Sequence, residues 1–249
     1  SNRLPLVRWP PLRYLFVRMA TRFVAKSEAL STAFLEAGLA EARLVRIPYG
    51  VDIDRYRPAP AEEKGQLRAR LGLGGSEVLI LFVGSLNPRK GVHWLVEAFA
   101  RLPRELAARL VLVGPAVKFP EYAASLRQSV SEAGLDDRVT FVTGTAPNVE
   151  DYMRACDVFT LASVREGLPI SILEAMSSGL AVTASDIPEI ADSQLRDGSG
   201  GLLFPIGDVA KLAASLESLV RDPGARARRG AAARARVEEE FSDRIVDRQ

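Results

Sequence analysis

The chain has 249 residues, of which 47% are hydrophobic and 26% are charged, so it can bury a substantial core and lacks the composition of a disordered protein. Its 33 basic and 31 acidic residues leave a formal charge of +2, which is too small to indicate nucleic acid as a partner. The single cysteine, Cys156, excludes an internal disulfide and a cysteine-based metal cluster and favours a reducing compartment. No apolar run reaches the roughly 18 residues of a membrane span, and no signal peptide is evident. We therefore expect a globular protein of the cytoplasm.

Apolar runs of strand length alternate along the chain with amphipathic segments of helix length, which is typical of a parallel sheet covered by helices. The predicted strands are residues 22–27, 42–48, 77–85, 109–115, 138–144, 157–163 and 180–185. The predicted helices are residues 27–38, 93–102, 122–134, 148–156 and 170–178. Val, Leu and Ile fill the strands almost without interruption, as in strands that are buried on both faces. We therefore predict the α/β class with a Rossmann-like, doubly wound parallel sheet.

A proline-bounded segment from Pro48 to Pro60 interrupts this alternation and is interpreted as a linker between two units. The part before the linker is too short to form an independent α/β domain. Asp52 and Asp54 in the linker form an Asp-x-Asp motif that would suit a divalent metal, but turn and capping roles are favoured in this context. Near the end of the chain, the Ala/Arg-rich residues 224–240 indicate a solvated surface helix.

Three features resemble binding or catalytic motifs but lack the residues or the position that those motifs need. Residues 84–91, GSLNPRKG, follow a strand as a P-loop does, but Arg89 stands where a P-loop needs Gly, and no Ser or Thr follows Lys90. Residues 71–77, LGLGGSE, precede a strand instead of following one and so fail the dinucleotide fingerprint. For His93, the single histidine, a packing or surface role is favoured over a catalytic one.

Two carboxylates mark residues 165–182, which read REGLPISILEAMSSGLAV. Glu166 lies in the turn after the predicted strand 157–163, and Glu174 follows eight residues later, inside a helical pattern that stops at Gly179. The turn therefore lies at the carboxyl end of a strand, where open parallel sheets bind their ligands.

A phosphate can be held where this helix begins. Pro169 suits the first helical turn because its missing N–H would be unpaired there anyway. The N–H groups of Ile170 and Ser171 and the positive end of the helix dipole would face an anion. Glu166 and Glu174 bracket this place. Because carboxylates repel phosphate, we expect their partners to be neutral hydroxyls, such as those of a sugar on one side and a ribose on the other.

Arg89 and Lys90 offer a second contact for an anion, because their loop also follows a predicted strand and precedes a helix. Adjacent cations in such a place are usually ordinary surface charge. Their coincidence with an acid-bracketed helix start on a neighbouring strand favours a phosphate contact instead.

These segments together resemble the GT-B glycosyltransferases of family 4, the glycosyl transferases group 1. Residues 166–185, EGLPISILEAMSSGLAVTAS, are similar to the donor site of that family, and residues 82–99, FVGSLNPRKGVHWLVEAF, to its phosphate loop. Residues 22–39 and 45–52 resemble its domain junction, and residues 185–223 its carboxy-terminal portion. Each segment alone would be a weak signal, but the ordered set is specific.

The resemblance implies a domain organisation. Residues 1–50 would be the closing elements of the acceptor-side N-terminal domain, residues 51–225 the nucleotide-sugar donor-binding Rossmann-like domain, and residues 226–249 a C-terminal helical segment. The rest of the N-terminal domain, with the acceptor-binding surface, would lie upstream of Ser1. We therefore expect this chain alone to bind a sugar nucleotide and to transfer nothing.

The resemblance also implies residue roles. Glu166 would hydrogen-bond hydroxyls of the donor sugar, and Glu174 would bind the ribose of the nucleotide. Lys90, with Arg89 assisting, would neutralise the diphosphate leaving group. The remaining donor-binding residues implied by the family are Gly84, Ser85, Gly167, Leu168, Pro169, Ile170 and Ser171. Members of the family usually retain the anomeric configuration and need no metal and no cofactor besides the nucleotide-sugar substrate.

Two residues depart from the family pattern. Ser85 stands where many members carry an Arg that grips the donor phosphates, so Arg89 and Lys90 would carry more of that charge here. Tyr49 replaces the usual Asn of the junction, without an obvious chemical consequence.

The sequence thus predicts a hexosyltransferase-type, retaining glycosyltransferase that moves a sugar from a nucleotide sugar to a hydroxyl of a glycan or lipid-linked acceptor, in cell-surface polysaccharide or glycolipid synthesis. One alternative is a non-catalytic module that binds nucleotide sugars. Another is a sugar-nucleotide epimerase of the same fold, which the spacing of the two glutamates disfavours. The basic aromatic residues 3–22 either contact anionic lipid at a membrane surface or pack within the N-terminal domain.

Overall fold

The computed structural model describes residues 20–25, 28–47, 49–144, 148–191, 195 and 200–246, with the backbone alone at residues 28, 29 and 46. Most of the basic aromatic segment, for which a membrane contact was one prediction, lies outside the described residues. Pro48, at the start of the predicted linker, lies outside them as well.

The described strands are β1 (Phe23–Ala25), β2 (Leu44–Arg46), β3 (Val78–Val83), β4 (Ala108–Val113), β5 (Val139–Val142), β6 (Val158–Leu161), β7 (Ala181–Ser185) and β8 (Gly201–Phe204). The described α-helices are α1 (Glu28–Glu36), α2 (Ala61–Arg70), α3 (Val92–Ala100), α4 (Pro120–Glu132), α5 (Val149–Ala155), α6 (Ile170–Ser177), α7 (Pro188–Ala191), α8 (Val209–Arg221), α9 (Pro223–Glu240) and α10 (Asp243–Val246). Short 3-10 helices cover Glu41–Arg43 and Pro88–Lys90.

Six of the strands form one parallel sheet in the order β5-β4-β3-β6-β7-β8, and β1 pairs with β2 in a separate two-stranded parallel sheet. The larger sheet grows outward from β3 through β4 to β5, and the chain then returns to the other side of β3 with β6. This reversal is the switch point of a doubly wound sheet. The α/β, Rossmann-like fold class predicted from the sequence is therefore confirmed.

Two layers of helices cover the six-stranded sheet. One layer is formed by α2, α5, α6 and α9, and the other by α3, α4 and α8. Between them, the central strand β3 is fully buried from Leu79 to Phe82, as its unbroken apolar sequence predicts. Burial of each such side chain contributes about 1.5–3 kcal/mol. Within the described ranges, no helix is long and apolar enough to cross a membrane.

One carboxylate fixes β6 against β3 at the amino edge of the sheet. Asp157, which precedes β6, accepts a hydrogen bond from the Leu79 backbone N–H at 2.7 Å. Lys64 Nζ and Arg68 Nη2 of α2 contact the two oxygens of the same carboxylate at 2.7 and 2.6 Å. Because hydrogen bonds to charged groups are stronger than neutral ones, this cluster holds the two strands in register. The opposite ends of these strands carry the candidate site.

The C-terminal helix α9 corrects one prediction. Residues 224–240 do form a helix, but the interpretation as a solvated surface helix is wrong for one of its faces, because Gly230, Ala233 and Val237 are buried. A Cβ atom on Gly230 would lie 2.1 Å from the carbonyl oxygen of Gly179, at the turn between α6 and β7. The small residues therefore let the backbone of α9 pack closely against the helix that carries Glu174.

The predicted linker is packed against the end of the chain. The Val51 backbone N–H donates to the Phe241 carbonyl at 2.8 Å, and the Asp243 N–H donates to the Val51 carbonyl at 3.1 Å. Two backbone hydrogen bonds thus join the start of this segment to the junction between α9 and α10. The proposed domain boundaries themselves stay a prediction.

Of the two linker aspartates, Asp52 has the turn role that its context favoured, whereas Asp54 forms an ion pair that was not predicted. Asp52 Oδ1 accepts hydrogen bonds from the backbone N–H groups of Asp54 at 3.1 Å and Arg55 at 2.9 Å. The Asp54 carboxylate pairs with Arg244 of α10. Asp52 therefore stabilises a turn, as expected of an Asx side chain followed by residues with free N–H groups.

Candidate functional site

The candidate site lies at the carboxyl ends of β3 and β6, on either side of the switch point. These strands are direct neighbours, with Ile80 opposite Val158 and Leu81 opposite Phe159. The loop after β3 spans residues 84–91, and the loop after β6 leads into α6. Topology therefore brings together the two loops that the sequence singled out, and it does so in the crevice where doubly wound sheets bind ligands.

The two loops interlock through their backbones. The Val164 N–H donates to the Arg89 carbonyl at 2.9 Å, and Arg89 Nη1 donates to the Arg165 carbonyl at 3.3 Å. Gly91 has a positive φ of 62°, and a Cβ atom there would lie 2.0 Å from the Ala162 carbonyl oxygen. Glycine is thus required both by the backbone conformation and by the close approach of the second loop.

The interlocked loops join Lys90 to Glu166. Lys90 Nζ lies 2.6 Å from Glu166 Oε1, and the side chains are 14% and 6% exposed. Ser163 Oγ, at the start of the second loop, also contacts Oε1 at 2.5 Å. Among the described residues, Glu166 Oε2 has no hydrogen bond. The two residues predicted to contact the diphosphate and the sugar therefore form a charged pair at the mouth of the crevice.

Arg89 is exposed, unlike Lys90, and its guanidinium donates to the backbone carbonyl of Arg165. The structure therefore places the two predicted cations in different surroundings. Lys90 is held in a partly buried pair, whereas Arg89 extends at the rim, where it can rearrange toward an anion.

Ser85 and Asn87 form a polar contact in the loop after β3. Asn87 Nδ2 lies 2.7 Å from Ser85 Oγ, and the Asn87 side chain is buried. With the amide N–H directed at the oxygen of Ser85, the hydroxyl proton of Ser85 is free to point outward as a donor. The loop after β4 approaches this loop closely because Gly114 has no side chain, since a Cβ atom on Gly114 would lie 2.1 Å from the carbonyl oxygen of Gly84.

The start of α6 forms the other wall of the crevice. Pro169 is buried and directly precedes the helix, one position before the place predicted for it. The Ile172 N–H donates to the Pro169 carbonyl at 2.9 Å, so the N–H groups of Ile170 and Ser171 precede the first bond of the helix. Gly167 and Ile170 are exposed, and the remaining donor-binding candidates in this turn, Leu168 and Ser171, are half-buried. The helix ends at Ser177, and Gly179, where the sequence predicted the stop, follows two residues later with a φ of 74°.

Glu174 lies one turn into α6 in a charged and aromatic cluster. Burial raises the pKa of Glu174 above its usual value, and the nearby Tyr56 hydroxyl and Arg55 guanidinium oppose that shift. Burial, followed by the negative charge of Glu174, raises the pKa of Tyr56 in turn. Arg55 lies 5.5 Å from the centre of the Tyr56 ring and pairs with Glu150 of α5 at 3.1 Å. A half-buried carboxylate near a hydroxyl and a cation is well suited to accept hydrogen bonds from a ligand.

Sequence reasoning missed four residues of this site. Ser163 contacts Glu166, and Asn87 contacts Ser85. Each of the two lies only two or three residues from its partner in the sequence, but so short a spacing between polar residues is common and does not by itself indicate a site. Arg55 and Tyr56 come from the predicted linker, more than a hundred residues before Glu174, so no local pattern indicates their contact.

Neither His93 nor a metal-binding cluster adds to the site among the residues that the structure describes. His93 Nδ1 lies 2.8 Å from the Tyr122 hydroxyl, which agrees with a packing or surface role. Within the described part of the chain, no group of three or more His, Cys, Asp or Glu side chains is arranged to hold a metal ion.

A polar cleft of about 700 Å³ lies between residues 54–57, α2 and α5. Its arginines are paired with its own acids. These pairs are Arg55–Glu150, Arg57–Glu63, Arg70–Asp151 and Arg154–Glu63. Each of these cations already has a carboxylate partner, whereas the crevice at the switch point also contains the exposed Arg89, which has no carboxylate partner among the described residues, so the crevice is the better phosphate site.

Comparison with known proteins agrees with this geometry. Residues 63–236 match the family described as Glycosyl transferases group 1. The D-inositol 3-phosphate glycosyltransferase of Kineococcus radiotolerans is 32% identical over 237 residues, covering 89% of this chain and 54% of that protein. The alpha-maltose-1-phosphate synthase of Mycobacterium tuberculosis is 33% identical over 207 residues, covering 78% of this chain and 51% of that protein. The chain spans about half the length of these relatives.

Solved structures show the same fold. Crystal structures of Anabaena HepE, one in complex with UDP and glucose and one with UDP-glucose, each match with a TM-score of 0.87 at 27% identity, covering 99% of this chain and 66% of HepE. The sheet order and the helix layers described above are thus those of GT-B glycosyltransferases. With a family match that runs from α2 into α9 and includes both loops of the crevice, the chain belongs to the glycosyl transferases group 1 family.

Proposed function

We propose that this chain supplies the donor site of a retaining, hexosyltransferase-type glycosyltransferase that moves a sugar from a nucleoside diphosphate sugar to a hydroxyl of a glycan or lipid-linked acceptor. The observation that carries the proposal is the pairing of Lys90 with Glu166, at 2.6 Å, beside the start of α6. UDP is the first nucleotide to test, because the Anabaena structures contain UDP and UDP-glucose. The acceptor, the activity and the partners of the whole protein are part of this proposal.

The diphosphate is proposed to lie between Lys90 and the first turn of α6. The helix dipole and the N–H groups of Ile170 and Ser171 favour an anion there. The Ser85 hydroxyl adds a neutral donor, and Arg89 at the rim adds a second cation. During transfer, the bond between the anomeric carbon and the diphosphate oxygen breaks, and its electron pair leaves with the diphosphate. Preorganised positive charge stabilises that leaving group.

The sugar is proposed to bind at Glu166. The contacts of Lys90 and Ser163 both go to Oε1, and Oε2 is the oxygen available to accept a sugar hydroxyl. Because the pair is held by two interlocked loops, Glu166 acts from a fixed position, which favours orientation of the sugar toward the acceptor.

The ribose is proposed to bind at Glu174. Helical geometry places Glu174 one turn beyond Ile170 on the same side of α6, which is the spacing needed to reach from a diphosphate to a ribose. Its neighbours Tyr56 and Arg55 favour the ionised form of the carboxylate, which is the better acceptor.

The remaining expectations belong to the same proposal. They are transfer without a metal or resident cofactor, a location in the cytoplasm with peripheral contact to a membrane, and a role in cell-surface polysaccharide or glycolipid synthesis. Addition of a chelator to a transfer assay of the whole protein tests the first of them. Undiminished activity is the expected result.

Titration of this chain with UDP, GDP, ADP and their glucose conjugates, followed by calorimetry, tests the function. We expect one nucleotide to bind clearly better than the others, and Glu174→Ala to weaken its binding. Glu97→Ala, which removes a glutamate that is 56% exposed on α3, is the matched control and should have no effect. Absence of binding to every nucleotide would contradict the proposal. Nucleotide-sugar binding without transfer by the whole protein would favour the non-catalytic module instead.

A further inference from the structure

The segment before α2 forms a tight turn beside the ribose end of the candidate site. Asp52 Oδ1 accepts two backbone N–H bonds, and the Tyr56 N–H donates to the Asp52 carbonyl at 3.0 Å. Tyr56 is buried, whereas Arg55 remains partly exposed and pairs with Glu150. The hydroxyl of Tyr56 and the charge of Arg55 both act on the Glu174 carboxylate, so the turn supplies two of the side chains that surround Glu174.

One side chain of the C-terminal helix joins this turn to α6. Arg234 Nη1 lies 3.0 Å from the Ile53 carbonyl, 2.9 Å from the Tyr56 carbonyl and 2.7 Å from the Ser177 carbonyl. It also lies 3.0 Å from Ser177 Oγ, which itself donates to the Tyr56 carbonyl at 2.5 Å. A single guanidinium nitrogen thus contacts four oxygens, which belong to the turn and to the helix that carries Glu174.

The guanidinium is itself held in place. Arg234 Nε pairs with Glu238 Oε1 at 2.6 Å, one turn further along α9, and the Arg234 side chain is 17% exposed. Since a guanidinium is planar and its five N–H donors have fixed directions, anchoring Nε sets where Nη1 points.

The position of Ser177 gives these contacts a consequence for the site. Ser177 follows Glu174 by three residues in α6, so both lie on the same side of that helix. Whatever fixes the turn against Ser177 also fixes the distance between Glu174 and its neighbours Arg55 and Tyr56. Without the guanidinium, three carbonyl oxygens of this junction would lose their shared donor.

We infer that Arg234 is a positioning residue of the nucleotide site: it holds the turn at residues 52–56 against α6, so that Arg55 and Tyr56 keep Glu174 oriented toward the ribose. This inference rests on the proposed function, because it assigns Arg234 to the ribose end of that same donor site. Arg234 acts through Glu174 and does not touch the nucleotide.

A purely structural role makes a different prediction. If Arg234 only stabilised the fold, its loss would lower the affinity for every nucleotide in the same proportion. If it positions Glu174, its loss weakens mainly the contact to the ribose hydroxyls. The ratio of affinities for UDP and for 2′,3′-dideoxyuridine diphosphate separates the two roles, because the second ligand lacks those hydroxyls.

The test compares wild type with Arg234→Ala and Arg234→Lys, and uses Arg228→Ala, an exposed arginine of the same helix, as control. Calorimetry gives the affinity ratio for the two ligands, and amide hydrogen exchange reports on residues 52–57 and 170–178. In Arg234→Ala we expect the preference for UDP to fall about five- to tenfold, as expected for a weakened charged hydrogen bond, and exchange in both segments to accelerate. Arg234→Lys should fall between Arg234→Ala and wild type, because an ammonium cannot serve all four oxygens. The control should match wild type.

Two results would overturn the inference. One applies if wild type prefers UDP to the dideoxy ligand, and it is that Arg234→Ala loses affinity for both ligands equally or loses none. The proposed function would then stand, and the role of Arg234 would be refuted. The other is an unchanged rate of amide hydrogen exchange at residues 52–57 in Arg234→Ala. This measurement needs no ligand, and it tests directly whether Arg234 holds the turn against α6. Failure of wild type to bind any nucleoside diphosphate would instead contradict the proposed function, and the assignment of Arg234 to a nucleotide site would fall with it.

Discussion

Removal of the Lys90 ammonium should destabilise the fold by leaving the Glu166 carboxylate without its cation. The pair is separated by 2.6 Å, and its side chains are 14% and 6% exposed, so little water can replace the lost contact. Deleting one partner of such a pair costs about 3–5 kcal/mol. Because Ser163 still contacts the same oxygen, we expect the lower value, about 3 kcal/mol, for Lys90→Met. For a chain of this size, that loss corresponds to a melting temperature lower by roughly 6–12 °C.

The assay is urea denaturation of wild type, Lys90→Met, Glu166→Gln and the double variant, with the free energy of unfolding extrapolated to water. The double variant has no uncompensated charge, so it should recover most of the loss seen in Lys90→Met. The control is Arg101→Met, which breaks an exposed pair with Glu97 on α3 and should cost no more than about 0.5 kcal/mol. A loss below about 1 kcal/mol in Lys90→Met, or no recovery in the double variant, would refute the reasoning.

Further predictions concern the ligand and the loops. Glu174→Ala should weaken UDP binding by on the order of 1.5–3 kcal/mol, whereas Glu166→Ala should spare UDP and weaken discrimination for the sugar; equal losses would contradict this division of roles. Lys90→Ala should reduce the affinity for UDP more than for uridine, and calorimetry at two salt concentrations should show the deficit shrinking as salt rises. Because burial raises the pKa of Glu174, UDP affinity should fall as the pH is lowered through that raised value, and Glu174→Gln should lack this step in a pH series. Gly91→Ala should lower the melting temperature and the UDP affinity together, because its Cβ would lie 2.0 Å from the Ala162 carbonyl; wild-type values for both would show that the loops can separate.

The sheet was predictable because its strands are buried on both faces. Residues 77–85 and 157–163 each contain an apolar run whose side chains are all buried only in the middle of a sheet that helices cover on both faces. The structure places β3 and β6 there. β8 was not predicted as a strand, because Gly201–Phe204 begins with a glycine and follows another, Gly200, and glycine weakens a strand pattern. Helix α2 was missed because AEEKGQLRAR buries a single residue, Leu67, and therefore lacks apolar periodicity.

The site was predictable where it depends on local sequence and unpredictable where it depends on packing. Glu166, Pro169 and Glu174 follow from a strand, a turn and a helix start in direct succession. The contact of Lys90 with Glu166 crosses 76 residues and needs the strand order, which the pattern of elements alone does not give. The contacts of Arg234 to the turn at residues 52–56 depend on the close packing of α9, which the composition of that helix had led us to interpret as solvated.

A crystal structure of the chain with UDP-glucose tests the central claim most directly, namely that the donor binds in the crevice between the loop after β3 and the start of α6. The account predicts the diphosphate within hydrogen-bond distance of Lys90 Nζ and of the N–H groups of Ile170 and Ser171, with the ribose hydroxyls at Glu174. A nucleotide bound in the arginine-lined cleft between α2 and α5, or a ribose remote from Glu174, would contradict it.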